Sequence, residues 1–330
     1  MKRLEGLDAL RGIAALLVAV GHAYRMAGIE IFFLQHYLVV DFFFLLSGFV
    51  MAMSADTSDP ARFIVSRWRR LWLPMAAGAV MGLVVAHVAD GDSLQAAALP
   101  FIAAVMLIPY GGGTFPLNPP AWSITFELVA NAVHALFLGR ARNLFLVAIV
   151  AGSALLIAAS SDTMDIGWED TLWLAAPRVL MTYCLGMLIY RLNGTTARLH
   201  WTVAAAGLPA MVLLASTWPG RTEIVFVLAF TPMVLLAGLG WQPAWGRILG
   251  AFSFPLYALH WNVERAMLKA DFGPEAMFCA SLAAVFIIGL LIDRRCRSAL
   301  RDFVGTATPN TSRRERYSPQ MLPEHAQSGD

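Results

Sequence analysis

The sequence predicts an all-α polytopic membrane protein of about ten transmembrane helices plus a short re-entrant or interfacial segment. Three observations carry this. The 330 residues are 58% hydrophobic and only 14% charged, with mean hydropathy +0.63, whereas a soluble domain carries about 25% charged residues. Apolar runs recur throughout residues 10–292, at lengths near the roughly 20 residues needed to cross a bilayer. The charges between those runs segregate by sign, as they do when short cytoplasmic loops collect Lys and Arg. The net charge of +2 conceals this local bias and does not indicate a nucleic-acid partner.

Taken in order, the predicted spans are 10–30, 37–54, 71–89, 120–138, 143–160, 172–190, 200–217, 222–239, 251–269 and 275–292. The first has no small-residue cleavage site and is read as a retained helix. Lys2 and Arg3 place the start inside, and Arg62, Arg67, Arg69 and Arg70 place the second loop inside too. Asp90 and Asp92 then lie outside while Arg140 and Arg142 lie inside. A single crossing, 120–138, satisfies that change. The apolar piece 96–110, interrupted by Pro100 and Pro109, therefore becomes the re-entrant segment, which is tolerated only against protein or a water-filled cavity. Asp162, Asp165, Glu169 and Asp170 follow outside, Arg191 and Arg198 inside, Asp271 and Glu275 outside. Arg294, Arg295, Arg297 and Arg301 return inside, so both termini are expected in the cytoplasm. Residues 1–305 form the membrane domain. Residues 306–330 lack apolar periodicity and read as a disordered cytoplasmic tail.

Ionisable groups inside spans are expensive and mark candidate function. Arg11 and His22 are eleven residues apart, which puts them within about 20° on one helix face and roughly 16 Å apart along it. That helix becomes a candidate wall of a reaction site. Asp41 precedes three phenylalanines and Ser47-Gly48. It needs water or a cationic partner, and His22 is the expected one, because a carboxylate raises a histidine's basicity and fixes its tautomer. A bare helix-entry role for Asp41 stays open. Gly48 reads as a close-packing position. Arg67 and Arg70, one turn apart, suit both cytoplasmic anchoring and bidentate phosphate binding. Ser123 and Glu127 share a face of the helix that starts at Pro120; Glu127 is expected to serve an acceptor, with an arginine pair as the alternative. His260, a turn after Tyr257, either lines an acyl tunnel or is a bonded core histidine. His87 and His134 read as interfacial or packing residues. Cys184, Cys279 and Cys296 form no metal or disulfide motif.

Five of these segments, in this order, resemble the integral membrane acyltransferase 3 family of bacterial surface-polysaccharide O-acyltransferases. They are Leu7-Asp8-Ala9-Leu10-Arg11-Gly12 with Gly21-His22, Asp41-Phe42-Phe43-Phe44-Leu45-Leu46-Ser47-Gly48-Phe49, Arg67-Trp68-Arg69-Arg70-Leu71-Trp72-Leu73-Pro74, Trp122-Ser123-Ile124-Thr125-Phe126-Glu127 and Ser253-Phe254-Pro255-Leu256-Tyr257-Ala258-Leu259-His260. The family usually shows Gly-Val-Asp before the phenylalanines, and this chain has Val39-Val40-Asp41.

The resemblance implies a cytoplasmic acyl-CoA donor, acetyl-CoA first, with no tightly bound cofactor and no metal. It also implies an acceptor hydroxyl on a cell-envelope carbohydrate, lipid-linked sugar or glycolipid, and a location in the bacterial inner membrane. His22 would be the general base, supported by Asp41, with Arg11, Arg67, Arg70 and His260 around the donor and Glu127 at the acceptor. The extracytoplasmic hydrolase-like domain of some family members is missing, so the membrane domain acts alone or hands over to a separate glycan-processing partner. A transporter or flippase, and a non-catalytic receptor, are the competing readings, separated from the first by the absence of thioester turnover.

Overall fold

The computed structural model describes residues 4–29, 34–111, 115–197 and 199–307. Lys2, Arg3, Arg198 and the tail beyond Ala307 lie outside the described residues. The chain folds into α1 (Glu5–Met26), α2 (Val40–Ser54), α3 (Pro60–Val88), α4 (Leu94–Met106), α5 (Ala121–Leu136), α6 (Asn143–Ser160), α7 (Leu172–Asn193), α8 (Trp201–Thr217), α9 (Thr222–Gly238), α10 (Gly246–Lys269), α11 (Pro274–Ile292) and α12 (Arg294–Ala307). A helix coincides with each predicted span, and among the described residues there is no strand. Six helices (α1, α2, α3, α6, α7 and α11, the second and fifth extended by a preceding turn) are long and apolar enough to cross a bilayer by length and composition. Only 17% of the apolar window of α6 and 22% of that of α11 is buried within the protein. A helix hydrophobic all round and left this uncovered suits lipid as its solvent.

Several boundaries differ from the predicted ones for identifiable reasons. α1 stops at Met26 because Gly28 takes a left-handed φ of 68° while its N–H bonds Arg25 O at 3.1 Å, a glycine stop inside an otherwise apolar run. α3 begins eleven residues earlier than its apolar run: the Asp59 carboxylate accepts the Arg62 N–H and Pro60 occupies the first turn. Arg67 and Arg70 are therefore helical residues, not loop residues. α4 starts on a Ser93 cap and runs back along α3, so that the Trp72 indole donates to Val105 O at 3.0 Å. Leu107 then turns the chain in left-handed conformation. At about 20 Å long, α4 is too short to cross.

Two seams hold the bundle centre. α1 lies parallel to α10, with backbones brought together by glycine. A Cβ on Gly246 would meet Glu5 O at 2.4 Å, and one on Gly250 would meet the Asp8 side chain at 2.6 Å. This Gly-x-x-x-Gly spacing is the small-residue geometry of membrane helix pairs. α2 meets α7 in the same way, Gly48 against Tyr183 O and Gly186 against Leu45 O, each at 1.9 Å for an added Cβ. The acidic loops gather at one end of the bundle, where Asp165 pairs with Arg25 at 2.8 Å and Asp90 binds both Arg265 and Lys269. The α3 and α12 arginines occupy the opposite end.

Candidate active site

A cavity of about 880 Å³ opens into the bundle from the arginine-rich end, between α1, α2, α3, α5, α10 and the start of α12. Seven arginines and three carboxylates line it. Arg67 and Arg70 reach it from α3, the Arg67 guanidinium lying 5.2 Å from the centroid of Phe63. Arg11 reaches it from α1, donating to Gly250 O at 2.9 Å and standing 3.5 Å from Asp8. Arg247, Arg294 and Arg295 surround its mouth with α12. Pro74 lines the cavity too; its missing N–H leaves the Arg70 carbonyl without a helical partner.

Ser123, Glu127 and Asn131, at fourth-residue spacing on α5, all face this cavity. The Glu127 carboxylate accepts from Ser47 Oγ at 2.8 Å. The face of α5 that carries Glu127 turns toward the α3 arginines, so Glu127 shares their cavity. At the inner end Tyr257 closes the space, its hydroxyl 2.5 Å from Ser123 Oγ and its ring 5.7 Å edge-on to Phe43.

His22 lies past that end. The shared face of Arg11 and His22 exists, and both bond to α10, but the cavity includes Arg11 and not His22. His22 Nδ1 is 2.9 Å from Nε2 of the fully buried His260. His36 and Trp261 meet the His22 ring edge-on at 4.5 and 5.0 Å. His260 is 6.0 Å from the Tyr257 ring, centroid to centroid. It stands behind the cavity as a bonded core histidine and does not line it, because its face of α10 turns toward α1.

Asp41 has a different partner from the expected one. Both Asp41 and Arg178 are fully buried, with Arg178 Nη2 donating to Oδ2 at 2.7 Å and Nε at 3.1 Å. Two further guanidinium N–H groups reach Tyr37 O and Ile166 O, and the Trp122 ring lies 5.4 Å away. The reason is the α2–α7 glycine seam, which turns Asp41 away from α1 toward a group with five N–H donors in a planar fork. Sequence reasoning missed Arg178; the signal was an arginine seven residues into the apolar run 172–190. His87 Nδ1 donates to Asp92 O at the surface, and His134 packs in the core. The three cysteines are free thiols. Cys296 donates to Ala251 O, the carbonyl orphaned by Pro255 in α10.

The structure thus presents a lipid-facing helical bundle holding a basic cavity that ends beside the His22–His260 pair. The sequence pattern of the acyltransferase domain that defines the acyltransferase 3 family matches residues 4–294. The chain belongs to that family: it is a membrane acyltransferase. It is 34% identical over 181 residues to protein 2 in the picA locus of Rhizobium radiobacter, covering 47% of this chain and 93% of that protein. It is also 31% identical over 168 residues to the exopolysaccharide production protein ExoZ of Rhizobium meliloti (strain 1021), covering 46% of this chain and about half (49%) of ExoZ. No solved structure matches the chain.

Proposed function

We propose that the protein moves an acyl group, acetyl in the first instance, from cytoplasmic acyl-CoA to a hydroxyl of a cell-envelope polysaccharide, lipid-linked sugar or glycolipid. The observation that carries this is the arginine-lined cavity ending at Tyr257, whose ring stands 6.0 Å from His260 of the His22–His260 pair. The name of ExoZ, an exopolysaccharide production protein, supports a polysaccharide acceptor. In this reading the protein is a ten-span inner-membrane enzyme with both termini and the arginine-rich end in the cytoplasm.

The donor's nucleotide and phosphates bind Arg67 and Arg70 near the mouth, where bidentate guanidinium contacts suit phosphate. Arg11 steadies charge deeper in, and Glu127 with Ser47 sets the local polarity. The pantetheine arm passes Tyr257, whose ring must rotate to join the cavity to the histidine pair. The acceptor arrives from the acidic end, where Trp261 stands against His22 and the half-exposed Trp168 stands against Trp261. Its hydroxyl gives a proton to His22 as the oxygen attacks the thioester carbonyl. The carbon–sulfur bond then breaks, His22 returns the proton to the leaving sulfur, and the products are the ester and free CoA thiol. Transfer is direct, since among the described residues no cysteine or activated serine adjoins the histidines as a covalent nucleophile requires.

The test is acyl transfer by purified protein in lipid, with radiolabelled acetyl-CoA and a crude envelope glycan and lipid fraction, beside His22→Ala. Label moved only by the unmodified protein supports the proposal. No label across a panel of acyl donors overturns it.

A further inference from the structure

The two rings at the α1–α10 seam carry their own record of where the protons sit. His260 Nδ1 is 3.0 Å from both Leu256 O and Tyr257 O, carbonyls one turn back on its own helix. A carbonyl oxygen only accepts, so Nδ1 bears the hydrogen. The reverse assignment sets a ring lone pair against two oxygens in a fully buried position. A neutral imidazole protonated at Nδ1 keeps its lone pair on Nε2, and that atom faces His22 Nδ1 at 2.9 Å. His22 Nδ1 is therefore the donor, and the His22 lone pair falls on Nε2.

The other neighbours leave this order intact. His36 and Trp261 approach the His22 ring edge-on. Arg25, the nearest cation on α1, is paired with Asp165. Asp41, the one carboxylate expected to hold His22, is committed to Arg178.

We infer that His260 is a positioning residue: its backbone-anchored ring sets the tautomer of His22 and aims His22 Nε2 at the reacting hydroxyl. It takes the place a carboxylate fills in other base dyads. As His22 gains a proton, His260 Nε2 goes on accepting from Nδ1–H, and the Leu256 and Tyr257 carbonyls polarise the pair. The catalytic part of this rests on the acyltransferase reading; the proton assignment does not.

Both parts are tested on full-length protein in lipid nanodiscs with 15N-labelled histidine, His22 being assigned by difference from His22→Gln. The expected spectrum at neutral pH has a proton-bearing Nδ1 and a lone-pair Nε2 on His22, and His260→Phe shifts the population to the opposite tautomer. In the acetyl-CoA assay, His260→Phe loses roughly 100-fold or more in kcat while its KM for acetyl-CoA stays within about threefold. His260→Gln, whose amide oxygen can occupy the Nε2 position and accept from His22, recovers about tenfold or more of that loss. A lone-pair Nδ1 on His22 in the unmodified protein overturns the inference. So does a folded His260→Phe protein with near-normal kcat, or a His260→Gln protein as inactive as His260→Phe. Absence of turnover in the unmodified protein, with the tautomer as assigned, instead sinks the acyltransferase reading and leaves the proton placement standing.

Discussion

His22 and Asp41 show how far one residue's chemistry can be read before its neighbours are known. Each is an ionisable group in an apolar helix, so each had to have a partner; the partners turned out to be His260 and Arg178. Removing the base should be a clean loss of rate: His22→Ala is expected to lower kcat roughly 100- to 10,000-fold without moving the thermal midpoint, as read by transfer kinetics beside a melting curve. Asp41 should behave in the opposite way. Asp41→Asn leaves the Arg178 charge buried and uncompensated, at a cost of about 3–5 kcal/mol. The expected outcome is a lowered melting temperature and yield, with activity per folded molecule falling far less than in His22→Ala. Equal losses per folded molecule would return Asp41 to the chemistry. For Arg67 and Arg70, each Ala substitution should raise the KM for acetyl-CoA roughly tenfold or more, the loss of a charge-assisted bond of about 1.5–3 kcal/mol. An acyl-pantetheine donor, which lacks the nucleotide, should show no such change.

Glycine decides the geometry at the level of helices. Gly48 and Gly186 let α2 and α7 touch backbone to backbone, and that contact is what delivers Asp41 to Arg178. Gly48→Ala would place a methyl 1.9 Å from Tyr183 O. It should destabilise by about 1–3 kcal/mol, whereas Gly152→Ala, with nothing within 4 Å on the outer helix α6, should leave the melting curve unchanged. Helix existence was legible from hydropathy alone, because ten apolar runs each became a helix. Helix ends were less legible. Hydropathy counts apolar residues, so it cut off the charged first turns of α3 and α10 and ran past the Gly28 stop in α1. The arginines of α3 gain their common direction toward the cavity from the missed turns.

For the molecule as a whole, the segregation of acidic and basic loops to opposite ends makes a topological prediction. In cells, Ser58→Cys should react with a membrane-impermeant thiol reagent only after the inner membrane is permeabilised. Asp170→Cys should react from the periplasmic side without it, with Cys279 replaced in both. Labelling in the reverse order would invert the proposed orientation. Composition and the spacing of apolar runs determined that this chain is a helical membrane protein. Five short motifs determined its family, since a charge held in hydrocarbon is conspicuous wherever it stands. One-dimensional order could not say which charges meet. The pairing of Asp41 with Arg178 joins residues 137 positions apart, and that of His22 with His260 joins residues 238 apart; both depend on glycine contacts that let particular helices close. Only the tertiary structure could therefore divide the motif residues between a basic cavity and a histidine pair beyond it.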